Sequence, residues 1–232
     1  MNAPRIIAVD GPAASGKSTL GKKLADALGY LFFDSGVMYR AVTYLALQRG
    51  VPVDDENAIT ALAENALIDI RPPSRQDGRS FDVWVDGQDV TWEMMTPVID
   101  AHVSQVSAYS RVRLALTNQL RRVGLRGQVV MAGRDIGTVV LPEADLKIYL
   151  DASVEERARR RYAQLLAHAG GDEGQLPSMP EVLDSMRRRD RLDSTRQIAP
   201  LRPAADAVIV SSDGLDADQV LSKVREIIAD CP

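Results

Sequence analysis

The sequence predicts an α/β fold with a parallel sheet at its centre and a small antiparallel excursion outside it. Three observations carry this. Short apolar runs of buried-strand type recur at Ile6 to Val9, Tyr30 to Phe33, Val129 to Ala132, Leu146 to Leu150 and Ala207 to Val210, with helical spacing between most of them. The first run passes through a glycine loop into a helix and then the second run, which is a βαβ unit. Between residues 66 and 96 the apolar period changes to two, the mark of strands with one solvated face.

The elements follow in order. The first strand ends at Asp10-Gly11, and residues 17 to 28 then carry Leu20, Leu24 and Leu28 on one side of a helix that Gly29 stops. Asp34-Ser35-Gly36 ends the second strand. Helices follow over 37 to 49 and about 55 to 65, the latter after Pro52 and Asp54. In the excursion, Ala66, Ile68 and Ile70 alternate with Leu67, Asp69 and Arg71, and Phe81, Val83 and Val85 alternate with Asp82 and Trp84. Asp77-Gly78 and Asp86-Gly87 are turn signals, the second favouring a hairpin onto a short strand near 88 to 91. Pro97 starts a helical stretch to about Arg122, broken near Ser110. Ser153 with Glu156, and Ser178 with Glu181, form capping-box pairs that open helices on either side of the glycine-rich residues 170 to 174. A last helix covers about 217 to 229.

The 232 residues suit one well-buried core with appendages. A hydrophobic share of 45% and a charged share of 26% describe a packed globular chain, far from a disordered one. The net charge of -4 argues against sequence-blind nucleic-acid binding, which needs excess positive charge to displace counterions. Cys231 is the sole cysteine, so an intrachain disulfide is excluded, and with only His102 and His168 beside it a Cys/His metal site is disfavoured. The opening MNAPRIIAVDG is too briefly apolar for a signal segment, and no run approaches the roughly 20 apolar residues that span a bilayer. A soluble cytoplasmic protein, with no membrane or nucleic-acid partner, is expected.

Residues 11 to 19 read GPAASGKST, so Gly11, Gly16, Lys17 and Ser18 fit GxxxxGK[ST] in the required place between strand and helix. Small residues let successive backbone N–H groups curl inward where a helix N-terminus adds partial positive charge. Gly11, Pro12, Ala13, Ala14, Ser15, Gly16, Lys17, Ser18 and Thr19 are the candidate ATP-binding residues. Lys17 would reach the β and γ phosphates, Ser18 would hold Mg²⁺, and Thr19 would bond the α phosphate. The alternative is a glycine-rich turn without a ligand.

A cradle names no reaction, because GTPases, motor ATPases and small-molecule kinases share it. None of Asn2, Asn57, Asn65 and Asn118 is followed by lysine, so the NKxD tetrapeptide of a GTPase is missing. Arginine is more informative. Arg157, Arg160 and Arg161 stand at i, i+3 and i+4, and Arg189, Asp193 and Arg196 at i, i+4 and i+7, one face in each case if the second helix reaches that far. Convergent guanidinium groups suit phosphate oxygens and the charge on a transferring phosphoryl group. The bland alternatives are solvated helix charge and, for Arg189 with Asp193, a surface ion pair.

DSGVMYRA at 34 to 41, SQVSAYSRVR at 104 to 113, GRDIGTVVLPEADLKIYLDASVEERARRR at 133 to 161 and RRDRLDSTRQIAPL at 188 to 201 together resemble the bacterial cytidylate kinase family. The match is collinear over nearly the whole chain. It implies a P-loop NTPase-type core, at 1–64 and 98–232, with a five-stranded parallel sheet flanked by helices. It also implies a small antiparallel CMP-binding insert at 65–97 and a helical lid at about 155–178. The implied reaction is phosphoryl transfer from ATP to CMP or dCMP, with Mg²⁺ accompanying ATP, by a monomer. By position, CMP-phosphate contacts fall on Ser35, Arg40, Arg134 and Arg196, ribose contacts on Arg189 and Asp193, and cytosine contacts on Ser104, Arg113 and Asp135. Lid arginines beside the ATP phosphates would be Arg157 and Arg161, which with Lys17, Arg134 and Arg196 form the implied catalytic set. A carboxylate at Asp135 would accept from the cytosine amine and repel the uracil carbonyl.

One position departs from the family. An Asp or Glu usually precedes Gly-Arg-Asp and helps order Mg²⁺, whereas Ala132 stands here, with Asp34 and Asp10 as candidate substitutes. The competing readings are a kinase for another monophosphate or small metabolite, and a nucleotide-sensing module with a macromolecular partner.

Overall fold

A computed structural model describes residues 3–168 and 176–229. The glycines expected between the lid helices, at 170 to 174, and Cys231 lie outside the described residues. In chain order the elements are β1 (Ile6–Asp10), α1 (Lys17–Leu28), β2 (Leu31–Asp34), α2 (Gly36–Gln48), α3 (Glu56–Asn65), β3 (Ile68–Arg71), β4 (Asp82–Val85) and β5 (Gln88–Asp89). Then come α4 (Pro97–Val106), α5 (Ser110–Gly124), β6 (Val129–Gly133), a π-helical turn (Ile136–Val140), β7 (Leu146–Asp151), α6 (Val154–His168), α7 (Met179–Thr195), β8 (Val208–Ser211) and α8 (Ala217–Ala229).

The five strands β2-β6-β1-β7-β8 pair in that order, all in parallel. Strand alternation sorts their side chains onto two faces. Ile7, Val9, Val130 and Ala132 join the cluster under α1 and α8, whereas Ala8, Phe33 and Met131 join the larger cluster built with α2 to α5. All five strands deliver their carboxyl ends to one rim, where open parallel sheets place their ligands. From that rim emerge the Gly11 loop after β1, Ser35 after β2, Arg134 and Asp135 after β6, and the turn into α6 after β7.

The antiparallel sheet, β3-β4-β5, lays Ile68, Ile70, Val83 and Val85 on the larger cluster. Its long β3–β4 connection is tied by Arg79, whose guanidinium bonds Asp77, Asp82 and Asp89 at 2.7 to 2.9 Å. A third, small cluster joins Ala13 and Ala14 of the glycine loop to Ala158 on α6 and Val182 and Met186 on α7. The arginine helices thus rest on the phosphate loop itself.

Two sequence readings need correction, and one element had no reading at all. The 207–210 run reads as a buried strand, but β8 is the sheet edge and only Val210 of its residues is buried. Arg196 does not continue a helical face: α7 stops at Thr195 and Arg196 turns extended, its Nε donating to Ala199 O at 2.5 Å. The turn at 136–140 carries no periodicity and escapes prediction. Among the described residues no helix is long and apolar enough to cross a membrane.

Candidate active site

The loop after β1 is built by sterics. Gly11 has φ 151°, and a Cβ there would lie 2.1 Å from the Leu150 carbonyl oxygen of β7, so only glycine lets the loop leave the sheet. Ala14 at φ 59° and Gly16 at φ 99° turn the chain left-handed, which curls amides into an anion-receiving nest that opens into α1. Ser18 and Thr19 are exposed at the mouth, while Lys17 is buried and its Nζ donates to Pro12 O at 2.7 Å. Burial first, then the nearby Arg134 and Arg189, lowers the Lys17 pKa to about 7, against the opposing charges of Asp34 and Asp10. Burial raises Asp10 to about 6, although its carboxylate accepts from the Gly137 and Ile136 amides at 2.7 and 2.8 Å.

Strand register separates the two candidate substitutes for an acid at Ala132. Ala132 pairs with Val9 on one side and Asp34 on the other, and paired residues of parallel strands project to the same face. Asp10 pairs with Gly133 and so points to the opposite face, where the π-helical turn engages it. Asp34 therefore shares the Ala132 face, with one oxygen accepting from Gly36 N at 2.9 Å.

The other expected residues form two groups. Arg113, Asp135, Arg196, Asp193 and Arg134 make one chain of alternating charge. Arg113 donates to Asp135 at 2.8 Å, Asp135 lies 3.6 Å from Arg196, Arg196 lies 3.8 Å from Asp193, and Asp193 accepts from Arg134 at 3.0 Å. At its Arg134 end the chain is near enough to Lys17 for the Arg134 charge to lower the Lys17 pKa. Arg189 also belongs here, because burial first and then Arg134 lowers its pKa, opposed by Asp193. Buried Nε of Arg113 and the terminal nitrogen of Arg196 nearest Asp135 have no acceptor within hydrogen-bond distance. Ser35 is buried between β2 and α2, its amide donating to Ala132 O at 2.8 Å.

The second group lines a cleft of about 860 Å³ that includes the glycine loop, Arg40, Ser104, Arg161 and Arg189. Arg40 is paired with Asp100 of α4 and donates to Met94 O. Arg161 is exposed beside Gln164. Arg157 behaves differently from Arg161: it is buried, and Asp190 of α7 engages it at 2.6 and 3.0 Å.

Three further residues escape sequence reasoning. Asp100 stands one helical turn before Ser104, a spacing that was available as a signal. Asp190 was hidden inside an arginine-rich helix. Ser212 lines the cleft and donates to Ser15 O at 3.0 Å, a contact across 197 residues that no local pattern announces.

A phosphate nest at the carboxyl rim of a five-stranded parallel sheet, with convergent arginines over it, defines a P-loop kinase. Within that class the chain belongs to the cytidylate kinase family, whose pattern matches residues 7–230. A cytidylate kinase of Herpetosiphon aurantiacus is 48% identical over 228 residues, covering 98% of this chain and 96% of that protein. One from Roseiflexus castenholzii is 48% identical over 231 residues, covering 99% and 96%. Another, from Carboxydothermus hydrogenoformans, is 46% identical over 222 residues, covering 96% of each.

Proposed function

We propose that this protein transfers the terminal phosphoryl group of ATP to CMP or dCMP, giving ADP and the diphosphate. The observation that carries the reading is the alternating chain from Arg113 to Arg134, which runs from a buried carboxylate suited to a cytosine amine up to Lys17. The nucleophile is a CMP phosphate oxygen, already ionised near neutral pH, so no general base is required. Loop amides and Lys17 hold the donor phosphates, and Arg134, Arg196 and Arg40 orient the acceptor phosphate. Arg161 and Arg189 screen the charge spread over the transferring group. Asp193 and Arg189 take the ribose, and Ser104, Arg113 and Asp135 take the base. Ser35 at the β2 rim supports the acceptor phosphate.

Mg²⁺ fits the donor set: the Ser18 hydroxyl and the Asp34 carboxylate are hard oxygens, and this ion is held by few carboxylates plus substrate phosphates. When bound it offsets phosphate charge, and Ser18 would hold it with Asp34 supporting its waters. Helices α6 and α7 act as a lid that closes over both nucleotides and keeps water from the γ phosphate. The antiparallel sheet serves as the acceptor-side insert, and the protein works as a monomer on free nucleotides.

The test is ADP formation from ATP with CMP, dCMP, UMP, AMP or shikimate as acceptor. Stimulation by CMP or dCMP above the others is expected. Preference for any other acceptor, or hydrolysis indifferent to all of them, overturns the reading.

A further inference from the structure

A phosphate nest needs its amides turned inward, which turns the intervening carbonyls outward, where each needs a donor of its own. Here those donors come from distant elements. Arg157 reaches Ala13 O at 3.3 Å, and Arg160 reaches Ser15 O at 3.3 Å, where the Ser212 hydroxyl also donates. The strain at Ala14, a residue with a Cβ held at φ 59°, is stabilised from the same side. Ala13 and Ala14 pack against Val154, Ala158, Val182 and Met186 of α6 and α7.

Arg157 is the centre of this support. It is 4% exposed, its Nε donates to Ala152 O at 2.9 Å, and its terminal nitrogens hold both oxygens of Asp190 as well as Ala13 O. A guanidinium so engaged turns its donors to protein acceptors. Asp190 in turn is the next residue after Arg189 and three before Asp193, so the helix that carries the acceptor-side residues also carries the clamp on the donor loop.

We propose that Asp190 and Arg157 are a positioning pair that holds the phosphate loop in its receiving shape and ties it to the acceptor-side helix. The proposal rests on the kinase reading, yet its central prediction concerns donor binding alone. Removing the clamp should loosen the loop and weaken the binding of ADP without any acceptor present.

The sign of one substitution separates this from direct contact between Arg157 and the nucleotide. If Arg157 touched the donor phosphates, Asp190 would compete with them, and Asp190→Asn would leave ADP affinity unchanged or raise it. If the pair positions the loop, Asp190→Asn lowers ADP affinity about tenfold, the cost of losing a charge-assisted bond. ADP binding is measured by calorimetry with Mg²⁺, alongside CMP binding alone and the thermal midpoint. Asp190→Asn and Arg157→Lys should each weaken ADP, the double variant no further than either, with CMP affinity held within about twofold. Arg157→Lys serves where Asp190→Asn does not fold, because lysine keeps the charge but cannot span Ala13 O and Asp190 together. Unchanged or tighter ADP binding in the folded variants overturns the proposal. Loss of CMP-dependent turnover in the unsubstituted protein would instead sink the kinase reading, while the ADP series would still report on the clamp.

Discussion

Lys17 is the residue on which pH acts most directly. Its folded pKa of about 7 lies below the unfolded value of 10.5, so the unfolded chain binds more protons between those limits. The group therefore opposes folding fully below about pH 7, and that cost fades as pH rises towards 10.5. Donor phosphates restore the charge, so ATP binding at pH 8 should take up a large fraction of one proton. Calorimetry in buffers of different ionisation heat reads this directly, and binding without proton uptake contradicts it. Asp135 sets base choice in the proposed reaction. Asp135→Asn should cut the CMP to UMP ratio of kcat/KM about tenfold. It also leaves Arg113 buried without a counterion, so the thermal midpoint falls as well. At Ala132 the register points to Asp34, so Asp34→Asn, which preserves the acceptor for Gly36 N, should raise half-saturating Mg²⁺ about tenfold. Ala132→Asp should lower it, and superimposable Mg²⁺ titrations would exclude both effects.

Among the elements, α1 is held to the sheet by a missing side chain. A Cβ on Gly21 would lie 2.3 Å from the Phe32 ring, so Gly21→Ala must push α1 away from β2 despite its better helix propensity. A loss of about 2 kcal/mol is expected, read as a fall of about 5 °C in Tm. Elements were the scale most legible in the sequence. Apolar runs gave the parallel strands, the Ser178–Glu181 capping box gave the start of α7, and Pro97 with Ser110 divided α4 from α5, because these signals are local. At α6 only half of the expected box forms: Ser153 Oγ accepts from Glu156 N, but Ser153 N donates to Asp213 and the Glu156 carboxylate is taken by Arg160. Burial was less legible: the β8 run reads like the others, yet its place at the edge depends on what no other strand covers. In the site, the loop was readable from spacing, whereas the proposed acceptor residues came only from family likeness, and what the structure adds is that Arg113, Asp135, Arg196, Asp193 and Arg134 lie together. The partners of Arg157 and Ser15 were not, since they bond across 33 and 197 residues, and Arg196 left the helical face because α7 ended one residue earlier.

For the whole molecule, the two large clusters share the strands β1 and β6, so they should melt together in one cooperative transition. Helices α6 and α7 rest on the small third cluster and should open more readily. Hydrogen exchange is expected to be fastest in α6 and α7, slowest in β1, β6 and β7, and slowed in the helices when ADP and CMP bind together. Equal protection throughout would show that the helices are not an independent layer.

The outward carbonyls of the glycine loop limit its portability. Residues 11 to 19 carry the amides proposed to receive a phosphate, yet groups that bond the loop's outward carbonyls lie on α6 and after β8. Grafted onto another strand–helix junction, the segment would bring its recognition surface and leave its scaffolding behind. The transferable unit is therefore a small tertiary assembly, and a short sequence match records only the part of it that is continuous.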